Sequence, residues 1–155
     1  VKALHEAGHE VMNHSATHPH MSRLDSSAII REVRSCNDKI AAVTGVQPVL
    51  FRCPYGEYND TVIKTVNGMG ITPVQWDVDS LDWKGISSAE ITDRVLKHVQ
   101  SGSIVLFHNA ADNTPEALPG IIESLLADGY RIVPISKILL PGEYTIDHTG
   151  RQCPK

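Results

Sequence analysis

Val49-Leu50-Phe51-Arg52-Cys53-Pro54-Tyr55-Gly56 is the stretch on which the reading of the fold turns. An apolar run at 49–52 stops at a proline, so it reads as a strand that enters a loop. Asp60–Gly68 then reads as a helix, and the same strand–helix unit recurs along the chain. Downstream, 71–78 reads as a strand, 88–100 as a helix capped by Ser87 or Ser88 and stopped by Gly102, and 103–107 as a buried apolar strand. A helix over 115–128, with Pro115 near its first turn and Gly129 after its end, leads to a strand at 130–133 and a last helix at 135–140. Upstream, Ile29, Ile30, Val33, Ile40 and Val43 fall at helix spacing within 26–44, with Asp25 or Ser26 as N-cap and Gly45 as stop. Residues 9–13 read as a short strand, and 1–7 as the end of a helix stopped by Gly8. Repeated strand–helix units imply a parallel sheet covered by helices, and right-handed crossovers turn such a series toward a β/α barrel. In barrels of that kind the chemistry sits on the loops that follow the strands.

Composition excludes several classes of function. The chain has 155 residues, 41% hydrophobic and 21% charged, with a net charge of −4. That is enough for one compact domain with its own core. It lacks the basic surface that nucleic acid or an anionic membrane would require, and no apolar run approaches the roughly 20 residues of a membrane span. Cys36, Cys53 and Cys153 form no C-x-x-C pair, which argues against a disulfide framework or a cysteine zinc site. Histidine is the unusual feature: five of the eight lie between His5 and His20. The chain opens inside a helical pattern with no strand before it, so an earlier strand is expected outside these residues.

Four segments carry candidate chemistry. His14 and His18, in Asn13-His14-Ser15-Ala16-Thr17-His18-Pro19, are neutral-imidazole ligands at a spacing that places both on one face of a helical turn. The competing reading is a solvated His-rich loop. In Arg52-Cys53-Pro54-Tyr55-Gly56, Arg52 offers a rigid fork for a carboxylate, and a backbone N–H in the tight loop can face an oxyanion. The bland alternative is an ordinary turn. Trp76-Asp77-Val78-Asp79-Ser80-Leu81-Asp82-Trp83 puts three acids and two tryptophans at a strand end. Tryptophan can carry a sugar ring, and the alternative is a buried Trp with capping acids. His108 closes the apolar strand of Leu106-Phe107-His108-Asn109 and can serve as a general acid if a carboxylate orients it. A lone histidine there is otherwise a satisfied core or rim residue.

In this order the four segments resemble the polysaccharide deacetylase family, also called the NodB-homology domain or carbohydrate esterase family four. Its H-[ST]-x-x-H-P motif is matched by His14, Ser15, His18 and Pro19, and R-x-P-Y-G by Arg52, Pro54, Tyr55 and Gly56. D-x-x-D-W is matched by Asp79, Asp82 and Trp83, and L-x-H by Leu106 and His108. The resemblance runs from Val1 to Leu140, with a deacetylase domain over 1–143 and a polar tail over 144–155. It implies a distorted (β/α) barrel whose N-terminal strand is not in this chain. The family's T-F-D-D motif is absent, and no Asp-Asp pair occurs in the chain. By the resemblance that motif supplies the general base and the third metal ligand, so either a second chain or segment provides them or this piece is inactive alone.

The resemblance implies that His14 and His18 hold a divalent ion, zinc first, with cobalt or nickel fitting the same ligands. Arg52 would orient the base, and the Tyr55 N–H, with Pro54 shaping its loop, would stabilise the oxyanion. His108 would protonate the leaving group, with Asp79 orienting it and favouring its charged form. Trp83 and Leu106 would line the acetyl pocket or carry the sugar, while His5, His9 and His20 are read as structural or exposed. The expected substrate is N-acetylglucosamine-containing polysaccharide, peptidoglycan or chitin oligomers, with acetylated xylan as the ester alternative. An extracellular or envelope location follows from that substrate. A non-catalytic carbohydrate-binding fragment is the reading of another class.

Overall fold

A computed structural model describes residues 1–147 and 149–155. The chain divides into two compact units, Val1–Gln75 and Trp76–Lys155. The first contains helices α1 (Lys2–Glu6), α2 (Ser26–Thr44) and α3 (Asp60–Gly68) and strands β1 (Leu50–Arg52) and β2 (Thr72–Val74). β1 and β2 are parallel, with Phe51 opposite Pro73. On the other side of β1, Asn13 makes a parallel bridge to Phe51: its N–H donates to the Leu50 carbonyl at 3.1 Å and its carbonyl accepts from the Arg52 N–H at 3.0 Å. The segment read as a strand at 9–13 is thus reduced to that one bridge. Its consequence is large, because His14 and Arg52 leave neighbouring strand positions in the same direction.

Local signals explain the helices. The Asp25 carboxylate accepts from the Ala28 N–H at 2.7 Å to start α2, and Gly45 at φ 73° ends it. Asn59 caps α3 by accepting from the Val62 N–H at 3.0 Å. Ile29, Val33, Asn37 and Ile40 form the buried stripe of α2, and Val62 and Val66 that of α3. Of these, Ile29, Val33, Val62 and Val66 build the core of this unit with Met21, Phe51, Cys53 and Ile71. Phe51 is fully buried, and burial of a side chain of that kind contributes about 1.5–3 kcal/mol.

The second unit repeats the arrangement. β3 (Val78–Asp79) lies parallel to β4 (Val105–Leu106), with α4 (Ser88–His98) and α5 (Thr114–Ala127) packed through Ile91, Val95, Ala117, Ile121 and Leu125. Ser87 and Glu90 form a reciprocal capping box at the start of α4. The strand expected over 71–78 is therefore split into β2 and β3, one in each unit. Residues 130–133 form no strand, because a strand needs a partner ladder for its N–H and C=O groups and none of the described residues supplies one. Ile132 and Val133 are exposed there. The expected last helix is a single 3-10 turn, Ile135–Lys137. In the polar tail, β5 (Tyr144–Ile146) pairs antiparallel with β6 (Gln152–Pro154). Both sheets that carry motifs are two-stranded and parallel, as an α/β fold requires. Among the described residues no helix is long and apolar enough to cross a membrane.

Candidate active site

His14 and His18 come together, though not on a helix. Their ring centroids are 4.9 Å apart at 73°, yet Ser15 and His18 both adopt left-handed backbone, at φ 68° and 57°. A helical turn would need neither, and Pro19 disfavours helical backbone at His18. The expected helical turn is thus replaced by a strained loop held by side chains. Asn13 Oδ1 accepts from the Ser15 N–H at 2.8 Å, and Ser15 Oγ accepts from the His18 N–H at 3.0 Å. Glu32, on α2, accepts from the Ala16 N–H at 3.0 Å, the Thr17 N–H at 2.9 Å and the Thr17 hydroxyl at 2.9 Å. Asn13 is itself buried, donating to the Val33 carbonyl at 2.8 Å and to Asn37 Oδ1. Neither Glu32 nor Asn37 stood out in the sequence. The only signal was a polar residue on the buried stripe of α2.

The His14 ring is oriented by the neighbouring strand. Its Nδ1 lies 2.7 Å from the Arg52 carbonyl. A carbonyl oxygen has no proton to give, so Nδ1 carries the hydrogen and the neutral ring keeps its lone pair on Nε2. That is the arrangement of a metal-ligating histidine, whose second nitrogen donates to a carbonyl or carboxylate. The two rings are in edge contact, and neutral imidazole nitrogen is a common donor to divalent transition metals. Among the described residues no three His, Cys, Asp or Glu side chains converge as a complete set.

After β1 the chain turns sharply at Pro54–Gly56. The Gly56 N–H donates to the Cys53 carbonyl and the Glu57 N–H to the Pro54 carbonyl, each at 3.1 Å. The Tyr55 N–H takes no part in closing this turn. Tyr55 sits at φ 58° with its side chain exposed, whereas Pro54 is fully buried and shapes the turn from within. Pro54 thus supports the loop from its buried side. Burial lowers the Arg52 guanidinium from its ordinary value and pushes the Cys53 thiol up to about 11. His20 stacks on Tyr55 and meets Glu57 through Nδ1 at 2.9 Å, a bond that holds the Glu57 carboxyl below its ordinary value. His20 is thus a partly exposed residue with structural contacts, in line with its reading as structural or exposed.

In the second unit the partner of His108 is Asp82, and the assignment of that role to Asp79 is corrected. Asp82 Oδ1 lies 2.8 Å from His108 Nδ1, and Oδ2 accepts from the His108 N–H and the Thr114 hydroxyl, each at 2.8 Å. Burial pushes the Asp82 carboxyl up, but these three donors outweigh it and hold the group below its ordinary value. Asp79 instead accepts from the Leu81 N–H at 2.9 Å and keeps Leu81 in left-handed backbone at φ 57°. The physical reason is the turn itself: Asp79 ends β3 and spends its carboxylate on the bend that carries the chain back to Asp82. Asp77 is a structural latch, accepting from Ser103 Oγ at 2.8 Å and the Ile104 N–H at 2.7 Å. Leu106 is buried in β4, whereas Trp83 is 57% exposed, with Lys84 Nζ 5.1 Å from its ring centroid.

The same device appears in both units. Asn13 and Asp79 each accept from the N–H two residues on, and in each case that residue has positive φ. Among the described residues the non-glycine positions with positive φ are Ser15, His18, Tyr55, Leu81 and Ala110. Every one lies within, or one residue beyond, the four segments singled out in the sequence. Strain of this kind costs about 1–3 kcal/mol per residue and gathers at functional sites.

The family model described as Polysaccharide deacetylase matches residues 1–74. A bifunctional xylanase/xylan deacetylase of Cellvibrio japonicus is 39% identical over 77% of this chain and 18% of its own length. A peptidoglycan-N-acetylglucosamine deacetylase of Bacillus cereus is 31% identical over 86% of this chain and 50% of its own. Among solved structures, a carbohydrate esterase family 4 pseudoenzyme from Bacillus anthracis is 33% identical with a TM-score of 0.83, covering 88% of this chain and 48% of that one. The chain thus spans half or less of the length of each of these proteins.

Proposed function

Because this chain belongs to the polysaccharide deacetylase family, carbohydrate esterase family four, we propose that it serves metal-dependent removal of N-acetyl groups from N-acetylglucosamine-containing polysaccharide. Peptidoglycan is the first substrate class and chitin oligomers the second, which places the reaction outside the cell or in its envelope. The two parallel strand pairs and their helices are read as part of a distorted (β/α) barrel. The observation that carries the reading is the His14 ring, oriented through Nδ1 by the Arg52 carbonyl and set edge-on against the His18 ring.

His14 and His18 would hold the ion, zinc first. Such an ion, when bound, polarises a carbonyl and makes water a nucleophile near neutral pH. The Tyr55 N–H is available to the oxyanion that develops on the acetyl carbonyl. His108 delivers a proton from Nε2 to the leaving amine, because its Nδ1 is engaged by Asp82. Asp82, held below its ordinary value, stays ionised and fixes that orientation. Trp83, with an exposed ring, offers a face for the sugar. No Asp-Asp pair occurs in these 155 residues, so no residue of this chain is assigned as general base or third ligand.

Acetylated xylan is the ester alternative, supported by the xylan deacetylase relative. A non-catalytic role is a second reading, supported by the pseudoenzyme among the structural neighbours. Acetate release by the native protein, with and without added zinc, on N-acetylglucosamine oligomers and on acetylated xylan separates the three. Zinc-dependent release from the oligomers is the expected result. Bound zinc without release from either substrate would overturn the catalytic reading.

A further inference from the structure

Tyr55 is enclosed by contacts that the reaction as described above does not use. The His20 ring stacks on it with centroids 4.4 Å apart at 16°, while His18 meets it edge-on at 4.6 Å and 70°. His20 Nδ1 is tied to Glu57 Oε2 at 2.9 Å, and Ser22 Oγ reaches the same oxygen at 3.4 Å. Glu57 is two residues beyond Tyr55, and its N–H helps close the Tyr55 turn. Just beyond β2, Gln75 Nε2 donates to the Gly56 carbonyl at 3.1 Å. The contacts form a closed loop: Tyr55 to His20, His20 to Glu57, and Glu57 back through the backbone to a residue in left-handed conformation.

A contribution to fold stability does not account for the pair. The His20 and Glu57 side chains are 42% and 39% exposed, and ion pairs with that much solvent contribute about 0–1 kcal/mol. What the pair does is geometric: it places a flat ring against one face of Tyr55 while His18 takes its edge.

We propose that His20 and Glu57 are positioning residues for Tyr55, clamping its ring against His18 and holding the turn whose N–H serves the oxyanion. The kinetic part of this inference rests on the deacetylase reading; the clamp itself does not. In hydrolysis the Tyr55 N–H must meet the oxyanion within a few tenths of an ångström, and a free Tyr55 at φ 58° would relax out of that position.

The test uses Glu57→Ala, His20→Ala and the conservative Glu57→Gln, whose amide oxygen still accepts from His20. In the zinc-loaded native protein, the alanine variants should lower kcat by roughly tenfold or more, with KM and zinc affinity little changed. Glu57→Gln should restore most of the rate. NMR of ¹³C-labelled tyrosine, with Tyr55 assigned through Tyr55→Phe, should show the Tyr55 ring signal shifted in both alanine variants and near its original place in Glu57→Gln. An unmoved Tyr55 signal in both alanine variants overturns the clamp, and so does an unchanged kcat in an active enzyme. If the parent protein releases no acetate, the deacetylase reading fails, and the Tyr55 signal alone decides the clamp.

Discussion

His108 and Asp82 are 26 residues apart in the chain, and His108 Nδ1 lies 2.8 Å from Asp82 Oδ1. The second carboxylate oxygen accepts from the His108 backbone N–H, so one side chain holds both the ring and the strand end that carries it. Asp79, three residues earlier, holds a backbone bend. Two acids of one motif thus do different work, and substitution separates them. Asp79→Asn should retain most activity, because an amide oxygen can still accept from the Leu81 N–H. Asp82→Asn should lower kcat by roughly 10² or more while zinc binding persists. Steady-state kinetics beside zinc titration checks both, and equal losses in the two variants would contradict the division.

The same carboxylate sets an acid limit on stability. Asp82 is held below the ordinary aspartate value of 3.8 in the folded chain. Above that value both folded and unfolded chains are ionised, and the stabilisation is fully present. As pH falls below it, the unfolded chain takes up the proton first, and the stabilisation is lost as pH drops through the folded value. The acid limb of an unfolding profile should therefore be shallower in Asp82→Asn than in the parent. Unfolding by denaturant, followed by circular dichroism from pH 6 to pH 2, measures this.

Glu32 should matter for metal without touching it. It accepts three hydrogen bonds from the loop between His14 and His18. Glu32→Ala frees that loop and lets Ser15 and His18 leave their left-handed conformations. Zinc affinity should fall by roughly ten- to a hundredfold, the usual range for a lost outer-shell support. Calorimetric titration reads the change directly, and His14→Ala or His18→Ala should abolish the same signal.

Cys53 gives the corresponding limit on the alkaline side. Its thiol is pushed up from 9.0 to about 11 by burial. Below 9 both states keep the proton. Between 9 and about 11 the unfolded chain loses it while the folded chain retains it, so stability falls as pH rises. The fall should be smaller in Cys53→Ala, although that variant is also weaker at neutral pH because it leaves a void. In the native state at pH 8 a thiol reagent should modify Cys36 and Cys153, which are partly exposed, well before buried Cys53.

The boundaries of α2 and α3 were legible residue for residue in the sequence, because caps and apolar spacing are local. Asp25, Gly45 and the stripe Ile29, Val33, Ile40 act within a few residues of themselves. The four motif segments were legible for a different reason: their residue types are uncommon in combination, and each follows a strand. What the sequence could not carry was any relationship made by backbone geometry across distance. Asn13 makes a single bridge where a strand was expected, because one residue alone finds its partner in β1. His14 is oriented by a carbonyl 38 residues away, and a backbone carbonyl leaves no trace in residue type. Asp79 and Asp82 are the same amino acid in one motif, and only the left-handed turn at Leu81 decides which of them reaches His108. Glu32 and the His20–Glu57 clamp on Tyr55 were hidden for the same reason. Local chemistry determined which residues are present and which elements they form, while tertiary packing determined which of them touch.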